Sequence, residues 1–218
     1  MCWGGADQAP DPREVARYLG IPGGALDGPG GAYAAACWEE LRRGTAPRGL
    51  HRRVDLAPFR AASRDLDHHL RRCGEGFLYA ITLGAAADRL LRRWSAQSMA
   101  KAAVGQAVCA AWLDELCAAY CESLQQGLAP GEYLTPPFSP GYGDWDLAAQ
   151  QTVLDRLQAP KRLGLSLTGG GMLVPEKSVT ALVGISDRKE EACGQKCMRC
   201  TKTDCPFRAG PAEVLREP

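Results

Sequence analysis

Four cysteines stand close together near the end of this chain, in the run Cys193-Gly-Gln-Lys-Cys-Met-Arg-Cys-Thr-Lys-Thr-Asp-Cys205-Pro206. Thiolates at such spacings can turn inward around one metal ion or one cluster, which makes Cys193, Cys197, Cys200 and Cys205 candidate metal ligands. A 4Fe-4S iron-sulfur cluster is the leading reading, because tight spacing wraps one cluster and the thiolates balance the charge of the irons. Zinc is the main competitor, although zinc more often uses two separated C-x2-C knuckles and this stretch contains one. A tail that binds no metal is the remaining alternative. Lys196, Arg199 and Lys202 would partly offset thiolate charge and favour electron acceptance, or would simply keep the tail soluble.

Cys193, Cys197 and Cys200 also form C-x3-C-x2-C, the spacing by which radical enzymes that use S-adenosylmethionine hold a cluster with one open iron. Such enzymes build a barrel after the motif, and too little chain follows Cys200 for one. Cys205 would in addition close the open iron. The Cys205-Pro206 ending resembles a ferredoxin-like loop instead.

A second stretch with chemical potential is Phe138-Ser-Pro-Gly-Tyr-Gly-Asp144. Pro140 and Gly141 hold an extended loop with exposed backbone, and Tyr142 offers a flat face; together with Ser139 they could hold a small ligand such as an adenosyl group. The plainer alternative is a packing lid. Further on, three glycines at 169–171 would let a ligand or a second backbone approach closely, and Lys177 with Ser178 could contact an anionic group. Pro175 and Glu176 precede Lys177, so this is no phosphate loop, and a hairpin turn explains it equally well. His51, His68 and His69 form no H-E-x-x-H pair, and no serine nucleophile motif is present, which argues against hydrolase and zinc-peptidase chemistry.

The elements that would position these residues mix helices and short strands. Asp11-Pro12 opens a helix that Gly20 stops, a second helix is expected from Tyr33 to Arg43, and a strand around Val54 to Phe59. Ser63 caps a helix carrying Leu66 and Leu70, and Phe77 to Leu83 reads as a buried strand ended by Gly84. From Asp88 the pattern is helical. Cys109, Leu113, Leu116, Tyr120 and Leu124 form one stripe, and Val104, Val108 and Trp112 an adjoining one, so this helix is expected to be covered on two sides. A short helix with Leu147, Leu154 and Leu157 is expected to be capped by Asp144 or Asp146 and ended by Pro160. Two strands, Leu163 to Thr168 and Val179 to Ile185, follow with the glycine-rich turn between them. Without regular strand–helix alternation, the fold class is α+β with a mainly antiparallel sheet flanked by helices and a C-terminal cysteine-rich metal or cluster loop.

The formal net charge of +1 argues against a general nucleic-acid or anionic-membrane surface, and Arg89, Arg92 and Arg93 read as a solvated helix face. No run approaches the roughly 20 consecutive apolar residues of a membrane span. The start Met1-Cys2-Trp3 lacks a basic region followed by an apolar one, so a cytoplasmic protein is expected. In a reducing compartment the ten cysteines read as ligands where clustered and as packing residues where scattered, Cys117 and Cys121 included.

The order of the pieces carries a resemblance. Thr82-Leu83-Gly84, the alanine-rich helix, Ser139-Pro-Gly-Tyr-Gly-Asp144, Leu167-Thr168 and Val174-Pro-Glu-Lys-Ser-Val179 together look like the activation (reactivation) domain of cobalamin-dependent methionine synthase, in a free-standing form with a cysteine-rich tail. Coverage runs from about residue 50 to 208. The resemblance implies a twisted antiparallel sheet with surrounding helices and a shallow groove for S-adenosylmethionine, with Gly141 and Tyr142 matching the ligand-contacting element. It implies an activity in which a corrinoid that has slipped to cob(II)alamin is reduced by one electron and methylated by S-adenosylmethionine. Cobalamin would be carried by the partner, a methionine synthase or other corrinoid protein, and an electron donor would be needed.

Two departures stand out. Pro137 occupies the place where the family usually has an arginine apt for the ligand's carboxylate, and Ala110 stands near the place of an expected acid, with Asp114 one turn later as its substitute. Residues 1–50 are expected to form an N-terminal helical segment, 51–188 the activation-like domain and 189–218 the tail. The alternatives of another class are a non-catalytic corrinoid-protein adaptor or electron carrier with a decayed methyl-donor site, and a zinc-stabilised interaction module.

Overall fold

The computed structural model describes residues 8–21 and 26–189. The metal ligands expected at Cys193, Cys197, Cys200 and Cys205 lie outside the described residues.

The sheet is organised around two apolar strands, β2 (Glu75–Thr82) and β6 (Ser178–Ser186). β1 (Arg48–Asp55) pairs with the free side of β2 and β3 (Tyr133–Leu134) with the free side of β6, giving the order β1-β2-β6-β3 with every pair antiparallel. Successive side chains of a strand point to opposite faces. Tyr79, Ile81, Ala181 and Val183 accordingly join one apolar cluster, while Leu78, Ala80 and Leu182 join another. Both faces must then be covered, and the helices divide between them.

The first face is covered by α2 (Gly28–Gly44), α5 (Ala85–Gln97) and α6 (Met99–Gln125), with α1 (Pro12–Tyr18) packed on α6. The second face takes α3 (Ala57–Arg60), α4 (Arg64–His69), α7 (Ala149–Leu157) and α8 (Ala159–Leu163). A small separate hairpin joins β4 (Ser166–Leu167) to β5 (Leu173–Val174). The architecture is α+β, an antiparallel sheet between helical layers.

α6 is long and apolar enough, by length and composition, to cross a membrane, yet more than half of its most apolar window is buried inside the fold. Both expected stripes are buried, as a core helix requires: Cys109, Leu116 and Tyr120 on one, Val104, Val108 and Trp112 on the other. Each large side chain so buried contributes about 1.5–3 kcal/mol.

Several local expectations change. The strand near Val54 ends at Asp55, whose Oδ1 accepts the Ala57 N–H at 2.9 Å and turns the chain into α3. The helical pattern after Gly84 is two helices, broken at Ser98, which is extended and caps α6 by accepting the Lys101 N–H. α2 starts at Gly28, with a proline in its first turn. Pro160 opens α8 after the left-handed Gln158 ends α7. The strand expected from Leu163 to Thr168 shrinks to β4, paired with β5 outside the main sheet. The boundary expected at residue 50 falls inside β1, and Cys37, Trp38 and Leu41 of α2 belong to the same core as α6.

Gly105 shows how closely α5 and α6 approach. A Cβ there would lie 2.4 Å from Cε3 of Trp94, itself fully buried. Glycine costs a helix interior about 0.5–1 kcal/mol relative to alanine, and here the indole takes the space. Gly105→Ala is therefore expected to destabilise the fold, by about 1–3 kcal/mol, despite its better helix propensity; urea unfolding followed by tryptophan fluorescence measures this.

Candidate ligand-binding site

The loop that carries Ser139 to Asp144 is held at both ends. At its start Phe138 exchanges two backbone hydrogen bonds with Leu182 of β6, at 2.9 and 2.8 Å, which lays Ser139 and Pro140 along the edge of the strand. At its end Asp144 caps α4: its carboxylate accepts the Ser63 hydroxyl and the backbone N–H groups of Arg64 and Asp65. Asp65 returns the contact by accepting the Asp144 N–H at 3.0 Å. The sequence offers Asp144 or Asp146 as the cap of the helix that follows, and the structure takes Asp146 for that end of the chain and Asp144 for α4. α7 begins at Ala149, and Asp146 accepts the Ala148 N–H just ahead of it.

Between these clamps the loop turns tightly. The Gly141 N–H donates to Trp145 O at 2.7 Å, and Tyr142 N–H to Ser139 O at 3.0 Å. Gly141 and Gly143 both have positive φ, 90° and 52°. Gly143 has a second reason to lack a side chain, since a Cβ would lie 2.2 Å from Asp65 Oδ2. The ring of Trp145 is buried and anchors the turn between Phe59 and Phe138. Tyr142 stacks edge-on to Phe138 with centroids 6.0 Å apart and stays 50% exposed.

Leu147 joins this loop to the glycine-rich turn. Its two methyl carbons lie 3.4 and 3.5 Å from where Cβ atoms of Gly141 and Gly171 would be. Tyr142, Leu147 and Met172 are all exposed large hydrophobics, so the junction presents an apolar strip with backbone on both sides. Leu147 and Met172 were not anticipated as part of a site. The available signal was an apolar residue ahead of α7's buried positions and a methionine directly after three glycines.

The other anticipated residues separate by layer. Ser178 begins β6 and donates its hydroxyl between Thr82 Oγ1 and Pro175 O, both at 2.7 Å. Farther along the strand toward Phe138, the buried Thr180 hydroxyl donates to Gln150 Oε1 of α7. Lys177 lies toward the opposite face. Its ammonium pairs with Glu176 at 2.9 Å and lies within electrostatic reach of Cys109, whose thiol burial pushes up to about 12. Asp114 belongs to the opposite layer too, where it accepts the Tyr18 hydroxyl and lies 3.6 Å from Arg17 of α1. The structure thus brings Ser139, Pro140, Gly141 and Tyr142 together on the side of Ser178, and leaves Asp114 and Lys177 elsewhere. His69 stays beside the loop, packed on Phe138 and bonded through Nε2 to Pro136 O.

A groove of about 690 Å³ opens on the far side of Asp144, lined by Arg60, Ser63, Arg64 and Asp67. Among the described residues no three His, Cys, Asp or Glu side chains gather as metal ligands. What the junction offers is an aromatic face, two glycine-bearing backbones and neighbouring hydroxyls, an arrangement suited to holding a ligand in place.

No protein-family model matches the chain, and no curated protein matches its sequence. Solved structures match in fold. The fold is that of the MetH reactivation domain, whose crystal structure bound to AdoHcy aligns with a TM-score of 0.56 over 88% of this chain and 85% of that one. Sequence identity is 13%, so the likeness shows the fold alone.

The Asp144 carboxyl is held below the usual carboxylate range, first by the Ser63 hydroxyl and then by the Asp65 N–H. Its folded value being depressed, its contribution to stability is present above the unfolded value of about 3.9 and is lost as pH falls through the folded value. Asp144→Asn is expected to flatten that acid limb, seen as a smaller pH dependence of the urea midpoint below pH ~4 than in the unsubstituted protein.

Proposed function

We propose that this chain binds S-adenosylmethionine at the junction of the Ser139–Asp144 loop and the 169–171 turn, and serves in reactivating a cobalamin-dependent methionine synthase or related corrinoid methyltransferase. The observation that supports the reading is the coincidence of a reactivation-domain fold with a doubly clamped loop whose own Pro140-Gly141-Tyr142 sequence leaves the Tyr142 ring half exposed. AdoHcy in the neighbouring structure is the demethylated form of that donor, which makes this ligand class the first to try.

In the reaction so assigned, one electron converts cob(II)alamin of the partner to cob(I)alamin, whose cobalt takes the methyl group and leaves S-adenosylhomocysteine. The contribution of this chain is positioning. Tyr142 would stack on the adenine, Gly141 would let the ligand lie against the backbone, and Ser139 and Ser178 would hydrogen-bond the polar groups. Cys193, Cys197, Cys200 and Cys205 would hold the cluster that relays the electron, with zinc as the competing occupant.

A second reading is favoured by one pair of observations: Pro137 stands where a carboxylate-binding arginine is expected, and Asp114 is engaged by α1. On that reading the chain is an adaptor or electron carrier for a corrinoid protein, with no methyl-donor site. Titration calorimetry separates the two. Micromolar binding of S-adenosylmethionine, weakened about tenfold in Tyr142→Ala, supports the first; absence of heat supports the second. Incubation of a purified cob(II)alamin-form methionine synthase with this protein, S-adenosylmethionine and a reductant is expected to yield methylcobalamin, and an unchanged cob(II)alamin spectrum defeats reactivation.

For the tail, anaerobic purification is expected to give brown protein containing iron and sulfide, bleached when the Cys197→Ser and Cys200→Ser changes are made. Colourless protein with one equivalent of zinc would replace the electron relay with a structural site.

A further inference from the structure

β1 is an edge strand, and three neighbouring elements supply five basic residues along it: Arg48 and Arg52 of β1, which bond the carbonyls of Leu163 and Arg156, Arg156 of α7, and Lys161 and Arg162 of α8, the last within electrostatic reach of His51 on β1. All five are exposed, and none forms an ion pair with a described acid. The contrast with Arg53 on the same strand, paired with Glu75 at 2.7 Å, shows that the sequence supplies acids where it neutralises. The acids carried by these three elements are engaged otherwise: Asp55 accepts the Ala57 N–H, and Asp155 accepts the Gln151 amide.

The guanidinium groups are held in place without acids. Arg48 Nη2 donates to Leu163 O at 2.7 Å, Arg52 Nη1 donates to Arg156 O at 2.8 Å, and Arg156 lies over the Phe59 ring at 5.7 Å. Anchoring one terminal nitrogen on a helix-end carbonyl restrains the guanidinium of these exposed arginines, Arg48 and Arg52, and leaves their other N–H groups available as a fork. Such forks match carboxylates bidentately and lose little side-chain entropy on binding.

We infer that this edge is a docking surface for an acidic protein face, in which aspartates and glutamates of the partner pair with Arg48, Arg52, Arg156 and Arg162. Charge complementarity identifies the occupant. A nucleic acid fits less well: the chain carries a net charge of only +1, and the exposed aromatic among the described residues, Tyr142, belongs to the Pro-Gly-Tyr loop and not to this edge. Arg48 and Arg52 stand about 13 Å apart along the strand, the scale of a short row of carboxylates. The inference is independent of the methyl-donor reading, since no residue is shared with that site.

Fluorescence anisotropy of labelled polyglutamate with the full chain tests it. Saturable binding at low salt that weakens as salt is raised is expected, with an affinity loss of about tenfold or more in the double variant Arg52→Glu/Arg162→Glu. Lys161→Glu/Arg162→Glu, which breaks no hydrogen bond among the described residues, should lose affinity as well and guards against a misfolded first variant, with circular dichroism confirming the fold of both. Arg89→Glu/Arg92→Glu on α5 should keep it. No saturable binding, an equal loss in the α5 variant, or tighter binding of single-stranded DNA than of polyglutamate would each overturn the proposal.

Discussion

A strand whose two faces are both apolar cannot be left half covered, and β2 and β6 impose that condition on everything around them. Leu78, Ala80 and Leu182 need one helical layer while Tyr79, Ile81, Ala181 and Val183 need another, and the chain supplies them from different parts of its length. The first layer is one long apolar helix with three helices around it. The second is an assembly of short pieces, and short pieces need connections that run over the sheet edge. The loop bearing Tyr142 is one of those connections. Its position on the β6 side follows from the sheet's demand for cover.

The same division explains why residues that look comparable in sequence separate in space. Lys177, just ahead of β6, and Ser178, its first residue, are neighbours, yet successive side chains of extended backbone point to opposite sides, so the lysine pairs with Glu176 while the serine bonds Thr82. Asp114 lies on the helix of the first layer and is drawn to α1, where the Tyr18 hydroxyl and the Arg17 guanidinium meet it. A ligand lodged beside Tyr142 therefore draws its polar contacts from the even-numbered residues of β6 and from α7.

Much of the fold was legible because it rests on period and punctuation. The buried β2 strand, the Ser63 cap, the Asp11-Pro12 helix start and the two stripes of α6 follow from local signals that the tertiary structure obeys. The break at Ser98 was missed because apolar spacing continues through it. The role of Asp144 was missed for a different reason: an acid just before a helix normally caps that helix, and nothing local tells that the N–H groups it serves lie on α4. Leu147 was assigned to α7's apolar stripe, but its methyl groups fill space left by two glycines distant from each other in sequence. Contacts of that kind are set by which loops the sheet brings side by side, and single-sequence periodicity carries no record of them.

The double clamping of the Ser139–Asp144 loop bears on how its length can vary. One end is registered to a strand by Phe138 and Leu182, the other to a helix terminus by Asp144 and Asp65, and the turn inside closes through Gly141 and Trp145. An added or deleted residue could not be absorbed by bulging outward, because it would pull either the strand pairing or the helix cap out of register. Surface loops ordinarily drift in length among related chains. This one is metered like a strand, so descendants of the fold can change what its side chains present while the span between its two fastenings stays constant.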